Sequence, residues 1–190
     1  MLAYVFWHWR KVAVAAADYE AGMRAFHAAL AAEPPQGFHA SFCVALSHTP
    51  PWAAAGNDAY EDWYFIDDFA ALGSLNQAAV SGGRARLHDT VANAAAGGTA
   101  GVYGRRLGTS LLPPRSAFWL SKPAGMRYDE LFSILGPVVK EVGGALWMRQ
   151  MALGPAREFS LHMVSSAEVS HIFDPLGVPT RRVWPETGRP

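Results

Sequence analysis

The side chains best placed to do chemistry together lie in two short alternating runs, 145–152 and 158–164, joined through Gly154 and Pro155. They read as a β-hairpin. Alternate residues of a strand point to opposite faces. One face therefore carries Leu146, Met148, Phe159, Leu161 and Met163, and the other carries Trp147, Arg149, Met151, Glu158, Ser160 and His162. A tight turn that pairs Leu153 with Ala156 sets Arg149 opposite Ser160 and Trp147 opposite His162. On such a face His162 could move a proton, while Arg149 held near Glu158 could bind a carboxylate or a developing oxyanion.

Trp7, Trp63 and Trp119 fall on the same inner parity as Trp147, so four tryptophans point into one space. An indole N–H needs a partner, and a Trp-rich interior beside Arg149, Glu158 and His162 suits a planar or aromatic ligand. The plainer reading is packing: large aromatics fill barrels, Arg–Glu pairs stitch them, and buried histidines are mostly neutral. His8 has two placements. An internal repeat sets it over Leu120, toward covering helices; the opposite parity makes Tyr4, Phe6, His8 and Arg10 the inner row and moves the site there.

Other chemical signals are sparse. The seven histidines form no HxxxH, HExxH or His/Cys pattern at ligand spacing, so no metal site is expected. The glycine-rich GGTAGVYG lacks both a P-loop lysine and GxGxxG spacing and reads as a loop. Cys43 reads as a buried structural thiol. Asp62, Asp67 and Asp68 suggest a carboxylate cluster, one member of which caps a helix. No G-x-S-x-G elbow is present.

The elements that would hold these residues follow from periodicity. A strand at 3–10 precedes a helix from Asp18 that carries Tyr19, Met23, Phe26 and Leu30 and stops at Pro34, with Glu20, Arg24 and His27 on its solvated side. Strands at 38–46 and 60–66 lead to a second helix bearing Phe69, Leu72 and Leu75. Residues 84–114 read as a helical and Gly-rich connector. A strand at 116–122, a helix at 127–139 and the hairpin then repeat the order. VFW (5–7) matches AFW (117–119), DYEAGMRAF (18–26) matches RYDELFSIL (127–135), and Glu61 lies over Glu158. The division expected is a first half at 1–83, the connector at 84–114, a second half at 115–168 and an extended arm at 169–190. Each half has one face covered by helix, and its bare face buries most cheaply against its sister.

Across 190 residues, 51% are hydrophobic and 17% charged, with 10 Phe, 7 Trp and 6 Tyr, which excludes disorder and demands a large core. Sixteen Lys and Arg balance sixteen Asp and Glu, so the electrostatic footprint of a nucleic-acid or polybasic membrane binder is missing. The single cysteine cannot form an intrachain disulfide, and the N-terminal apolar run is too short for a signal peptide; a cytoplasmic protein is expected.

On this element order, over residues 1–166, the chain resembles the ferredoxin-like, dimeric α/β-barrel superfamily of EthD-like, antibiotic-biosynthesis-monooxygenase and NIPSNAP-type proteins. The strings YEDWY (60–64) and WMRQMALGPAREF (147–159) are similar to uncharacterised bacterial proteins of this type. The resemblance implies an α+β fold of two tandem ferredoxin-like halves with antiparallel sheets packed face to face in one chain, and leaves room for a homodimer. It names no cofactor. The enzyme it allows is a cofactor-independent monooxygenase or isomerase acting on a planar hydrophobic substrate. In that reading His162 or His8 handles the proton, Arg149 holds an oxyanion, and Trp7, Trp63, Trp119, Trp147 and Glu158 position the ring. The alternative is a non-catalytic binding or assembly protein with an aromatic core.

Overall fold

A computed structural model describes residues 1–53, 58–150 and 156–185. Strict alternation builds the first strand: in β1 (Leu2–Arg10), Ala3, Val5 and Trp7 face one way and Tyr4, Phe6 and His8 the other. After α1 (Ala16–Ala32), β2 (Phe38–Leu46) and β3 (Ala59–Ile66) continue the rule, with Phe42, Trp63 and Phe65 joining the side of Trp7. Two helices follow, α2 (Phe69–Ala79), whose N-cap Asp68 accepts from the Ala71 amide, and α3 (Gly82–Ala94). The chain then runs through β4 (Ala95–Gly108), β5 (Ser116–Leu120), α4 (Tyr128–Glu141), β6 (Ala145–Gln150), β7 (Phe159–Met163) and β8 (Leu176–Trp184).

These strands close into an antiparallel barrel in the order β1-β3-β2-β8-β5-β7-β6-β4. Cut at its two joints, the ring falls into sheets β4-β1-β3-β2 and β8-β5-β7-β6, the same order twice. The joints are β2 with β8 and β4 with β6, so each sheet lends an edge strand to the other and no edge is left unpaired. The fold is thus two ferredoxin-like halves, face to face in one chain. Trp7, Trp63, Trp119 and Trp147 meet in the interior with Phe42, Phe65 and Tyr103, all buried. No helix among the described residues is long and apolar enough to cross a membrane.

Two segments depart from the sequence reading. The GGTAG stretch is not a loop but the middle of β4, paired with β1 along its length. Its glycines mark close approach: a Cβ on Gly98 would lie 2.5 Å from the Phe6 ring, and one on Gly97 2.8 Å from that of Trp9. The tail carries β8, whose Gly177 and Pro179 disguise a strand that pairs with both β2 and β5.

The hairpin is also shifted. Trp147 pairs with Ser160 and Ala145 with His162, and the Arg149 amide donates to the Glu158 carbonyl, two residues away from a tight-turn register. The turn supposed to set that register, at Gly154 and Pro155, lies outside the described residues. A slip of two preserves the faces, so the inward set survives while its partners change. The repeat shifts with it. Trp7 pairs with Glu61 and Trp119 with Ser160, which makes Ser160, and not Glu158, the counterpart of Glu61.

Candidate functional site

Glu61 and Asp62, neighbours in YEDWY, point to opposite sides of β3 and organise two different places. Glu61 faces the barrel interior, where its carboxylate accepts from Trp7 Nε1 at 2.7 Å and Trp63 Nε1 at 2.5 Å. Burial lifts its carboxyl to about 7 against the lowering pull of those two indoles. His162 also faces inward, its ring 4.3 Å from that of Trp63, and burial lowers it to about 3. It is neutral at physiological pH, and neither ring nitrogen has a hydrogen-bond partner among the described residues. The four expected tryptophans are therefore inside, as parity requires, but they pack ring on ring with Tyr103 and Phe42 as core.

Glu158 is not gathered by that interior as expected. Arg149 keeps the parity of Trp147, lies across the β4–β6 ladder from Tyr103 and donates from its guanidinium to the Ala156 carbonyl, while the half-buried Glu158 carboxylate accepts from Tyr128 on α4 at 2.7 Å, on the helix side. The two-residue register shift places Glu158 at the strand end, where it can turn outward.

Asp62 faces the helices. His8 Nε2 lies 3.3 Å from its Oδ2, His27 Nε2 lies 3.3 Å from its Oδ1, and the Tyr64 hydroxyl donates to Oδ2 at 2.9 Å. Burial alone would raise this carboxyl, but His8 and His27 outweigh it and hold it well below the usual carboxylate range. Each imidazole is braced at its other nitrogen, His8 Nδ1 by the Tyr19 hydroxyl and His27 Nδ1 by Ser41 Oγ, both at 2.7 Å. Burial chiefly, with the nearby Asp62 charge, pushes the Tyr19 phenol up, so it stays protonated. In the tautomer that turns His8 Nε2–H toward Asp62, Tyr19 O–H donates to Nδ1.

This row borders a cleft of about 740 Å³ between the outer face of β1 and β3 and the layer of α1, α2 and α3. Tyr4, Phe6, Phe26, Phe69, Leu72 and Leu75 make its apolar wall; Tyr19, His8, His27 and Asp62 make its polar floor. The volume lies in the range of small-molecule sites. His8 thus takes the helix-facing placement that the repeat demanded, and the cleft is on that side. In the space between the sheets the four tryptophans pack with Phe42, Phe65 and Tyr103.

Sequence reasoning missed His27, Tyr19 and Asp62 as one unit. His27 was assigned to a solvated face, but it is fully buried and its ring stacks with that of Trp184 from β8. The strand that covers that side of α1 was the one hidden in the tail. Nor do the three aspartates cluster, since Asp67 pairs with His39 and Asp68 caps α2. Cys43 on β2 pairs across the ladder with Asp62, so His8, Cys43 and Asp62 offer ligand atoms within 4.8 Å of one another. No linear motif could reveal a set drawn from three adjacent strands.

No protein-family model and no curated protein matches the chain. Among solved structures it is similar to a candidate monooxygenase from Fusobacterium nucleatum, with a TM-score of 0.67 and 8% identity over 96% of this chain and 92% of that one. It is also similar to a candidate monooxygenase from Lactobacillus acidophilus (TM-score 0.53, 12% identity, 96% and 94% covered) and a candidate chlorite dismutase (0.51, 13%, 95% and 94%). At such identities the likeness is one of fold, and it places the chain in the dimeric α/β-barrel architecture.

Proposed function

We propose that the chain binds a planar, hydrophobic small molecule in the cleft under its first-half helices and removes a proton from it, as the first step of an oxygenase-type reaction. The observation that carries this reading is the junction of a largely apolar cleft with the Tyr19–His8–Asp62 row. A substrate hydroxyl on the floor gives its proton to the Tyr19 oxygen as Tyr19 passes its own to His8 Nδ1. Asp62, 3.3 Å from Nε2, stabilises by its charge the imidazolium that forms. Dioxygen is the co-substrate that would oxidise the resulting anion. Monooxygenase-type fold neighbours favour this outcome over simple reprotonation, which would make the chain an isomerase.

Gly73 offers a clean test. It lines the cleft on α2, and a Cβ there meets no atom within 4 Å. A panel of polycyclic phenols and quinols should contain members that raise the melting temperature saturably. Gly73→Phe should abolish that response without loss of fold. For a panel member that is turned over, His8→Gln should lower the rate by about 10²-fold or more. An unaltered response in Gly73→Phe places the ligand elsewhere and defeats the proposal.

A further inference from the structure

The cleft floor also holds an arrangement that the proton relay does not use. His8 Nε2, Asp62 Oδ1 and His27 Nε2 are buried and have no hydrogen-bond partner among the described residues, although nitrogen and oxygen stand only 3.3 Å apart in both pairs. The atoms are close, but their N–H directions miss the oxygens. Four ligands at about 2.0–2.1 Å around a tetrahedral ion are spaced about 3.3 Å from one another, so the His8–Asp62 separation is also that of two ligands of one metal. The Cys43 thiol completes a compact group with them, every ligand atom within 4.8 Å of the others and all three residues buried.

The surroundings have the outer layer a metal centre needs. Tyr19 braces the far nitrogen of His8, Tyr64 donates to Asp62, and His27, itself braced by Ser41, flanks the second carboxylate oxygen. Met23 Sδ lies 3.6 Å from Cys43 Sγ, which adds a soft neighbour on the same side. A nitrogen, an oxygen and a sulfur donor together suit a borderline cation, not magnesium or calcium.

We propose that His8, Cys43 and Asp62 form a binding site for a divalent transition cation of the zinc type, with its remaining position open to the cleft. Binding exchanges the thiol proton for the metal: Cys43 S–H becomes a metal thiolate and one proton leaves to solvent. It takes the His8 Nε2 that otherwise faces Asp62, so this site and the proton relay exclude each other in any one molecule. The spacing of His8, Cys43 and Asp62 does not depend on a substrate in the cleft.

The test uses the full chain freed of metal by chelator and titrated with cobalt(II). One equivalent should bind, with a thiolate-to-cobalt charge-transfer band and tetrahedral visible bands, and zinc should displace it. Cys43→Ala should lose the charge-transfer band and weaken cobalt binding at least tenfold. Gly73→Phe should keep the band while losing the phenol response, so the two proposals fail separately. Should Cys43→Ala prove unfolded by circular dichroism, anomalous scattering at the zinc edge from soaked crystals of the parent chain decides: a peak among His8, Cys43 and Asp62 is expected. A peak elsewhere, no peak, no saturable cobalt binding, or a cobalt spectrum unchanged in Cys43→Ala overturns the assignment.

Discussion

The two halves of the barrel present the same strand order to their helices but treat the covered face in opposite ways. On the second half, Leu120, Leu146, Phe159, Leu161 and Met163 meet Leu131, Leu135 and Val139 of α4, and every one of these is buried and apolar. On the first half, structurally equivalent strand positions hold His8 where Leu120 stands and Asp62 where Leu161 stands. The repeat in the helices sets Tyr19 over Tyr128, yet Tyr19 is buried against His8 while Tyr128 lies at the surface on Glu158. One half closes its helix–sheet seam with hydrocarbon, and the other leaves a cleft with a polar floor. Topology supplies two equivalent places, and the residue types choose which one can do chemistry.

The difference between the two seams is most exposed to loss of the charge at the centre of the polar floor. Asp62→Ala leaves His8 and His27 without the carboxylate both imidazoles face. Losing one member of a buried charged group costs about 3–5 kcal/mol, which urea unfolding at pH 7 should register. Because its carboxyl is held below the usual range when folded, Asp62 contributes stability above about pH 4, and that contribution is lost as the pH falls further. The parent chain should therefore weaken in acid more steeply than the variant.

Truncating the apolar parts of the two seams should give unequal costs. Leu135→Ala opens a void in the closed seam and should cost about 2–5 kcal/mol, whereas Leu72→Ala only widens an existing cleft and should cost less than about 1 kcal/mol. Equal losses in chemical denaturation would mean that the first-half helices are packed as tightly as α4.

The barrel interior supplies a pH effect of the opposite sign. With its carboxyl raised from 4.5 to about 7, Glu61 penalises the folded state increasingly as the pH rises through that window, by on the order of 3 kcal/mol in all. Below pH 4.5 the penalty is absent, and above 7 it is constant. Buried His162, lowered from 6.5 to about 3, acts in the opposite sense up to about pH 6.5, so Glu61→Gln should turn a nearly flat profile across pH 4.5–6.5 into one that rises with pH. A profile unchanged in the variant would assign the effect to another group.

Gly73→Phe should change stability least. Replacing a mid-helix glycine gains about 0.5 kcal/mol from helix propensity, and the new ring enters open space. Its melting temperature should hold or rise slightly.

Much of this fold could be read before any coordinates, and the reasons are local. Alternation separated Trp7 from His8 in β1 and grouped His162 with Ser160 in β7, since parity needs only neighbours along one strand, but which row of β1 faced inward stayed open until the repeat set His8 over Leu120. Register was less secure, because it rested on a turn expected at Gly154 and Pro155 from composition alone, and Glu158 moved with it. The two strands that escaped, β4 and β8, hide their pattern behind glycines flattened under Phe6 and Trp9 and behind a proline at 179. The cleft escaped for another reason. A cavity is set by how far α2 and α3 stand from the sheet, a tertiary quantity without a period in sequence. Four tryptophans pointing inward suggested a ligand space, and there they pack against one another.

Crystals grown with a polycyclic phenol that raises the melting temperature should show whether the ligand cleft lies under the first-half helices or inside the barrel. The phenol is expected in the cleft, its hydroxyl within hydrogen-bonding distance of Tyr19, with the tryptophan interior unchanged. A ligand seated between the sheets against Trp119 and His162, with the cleft empty, would contradict it.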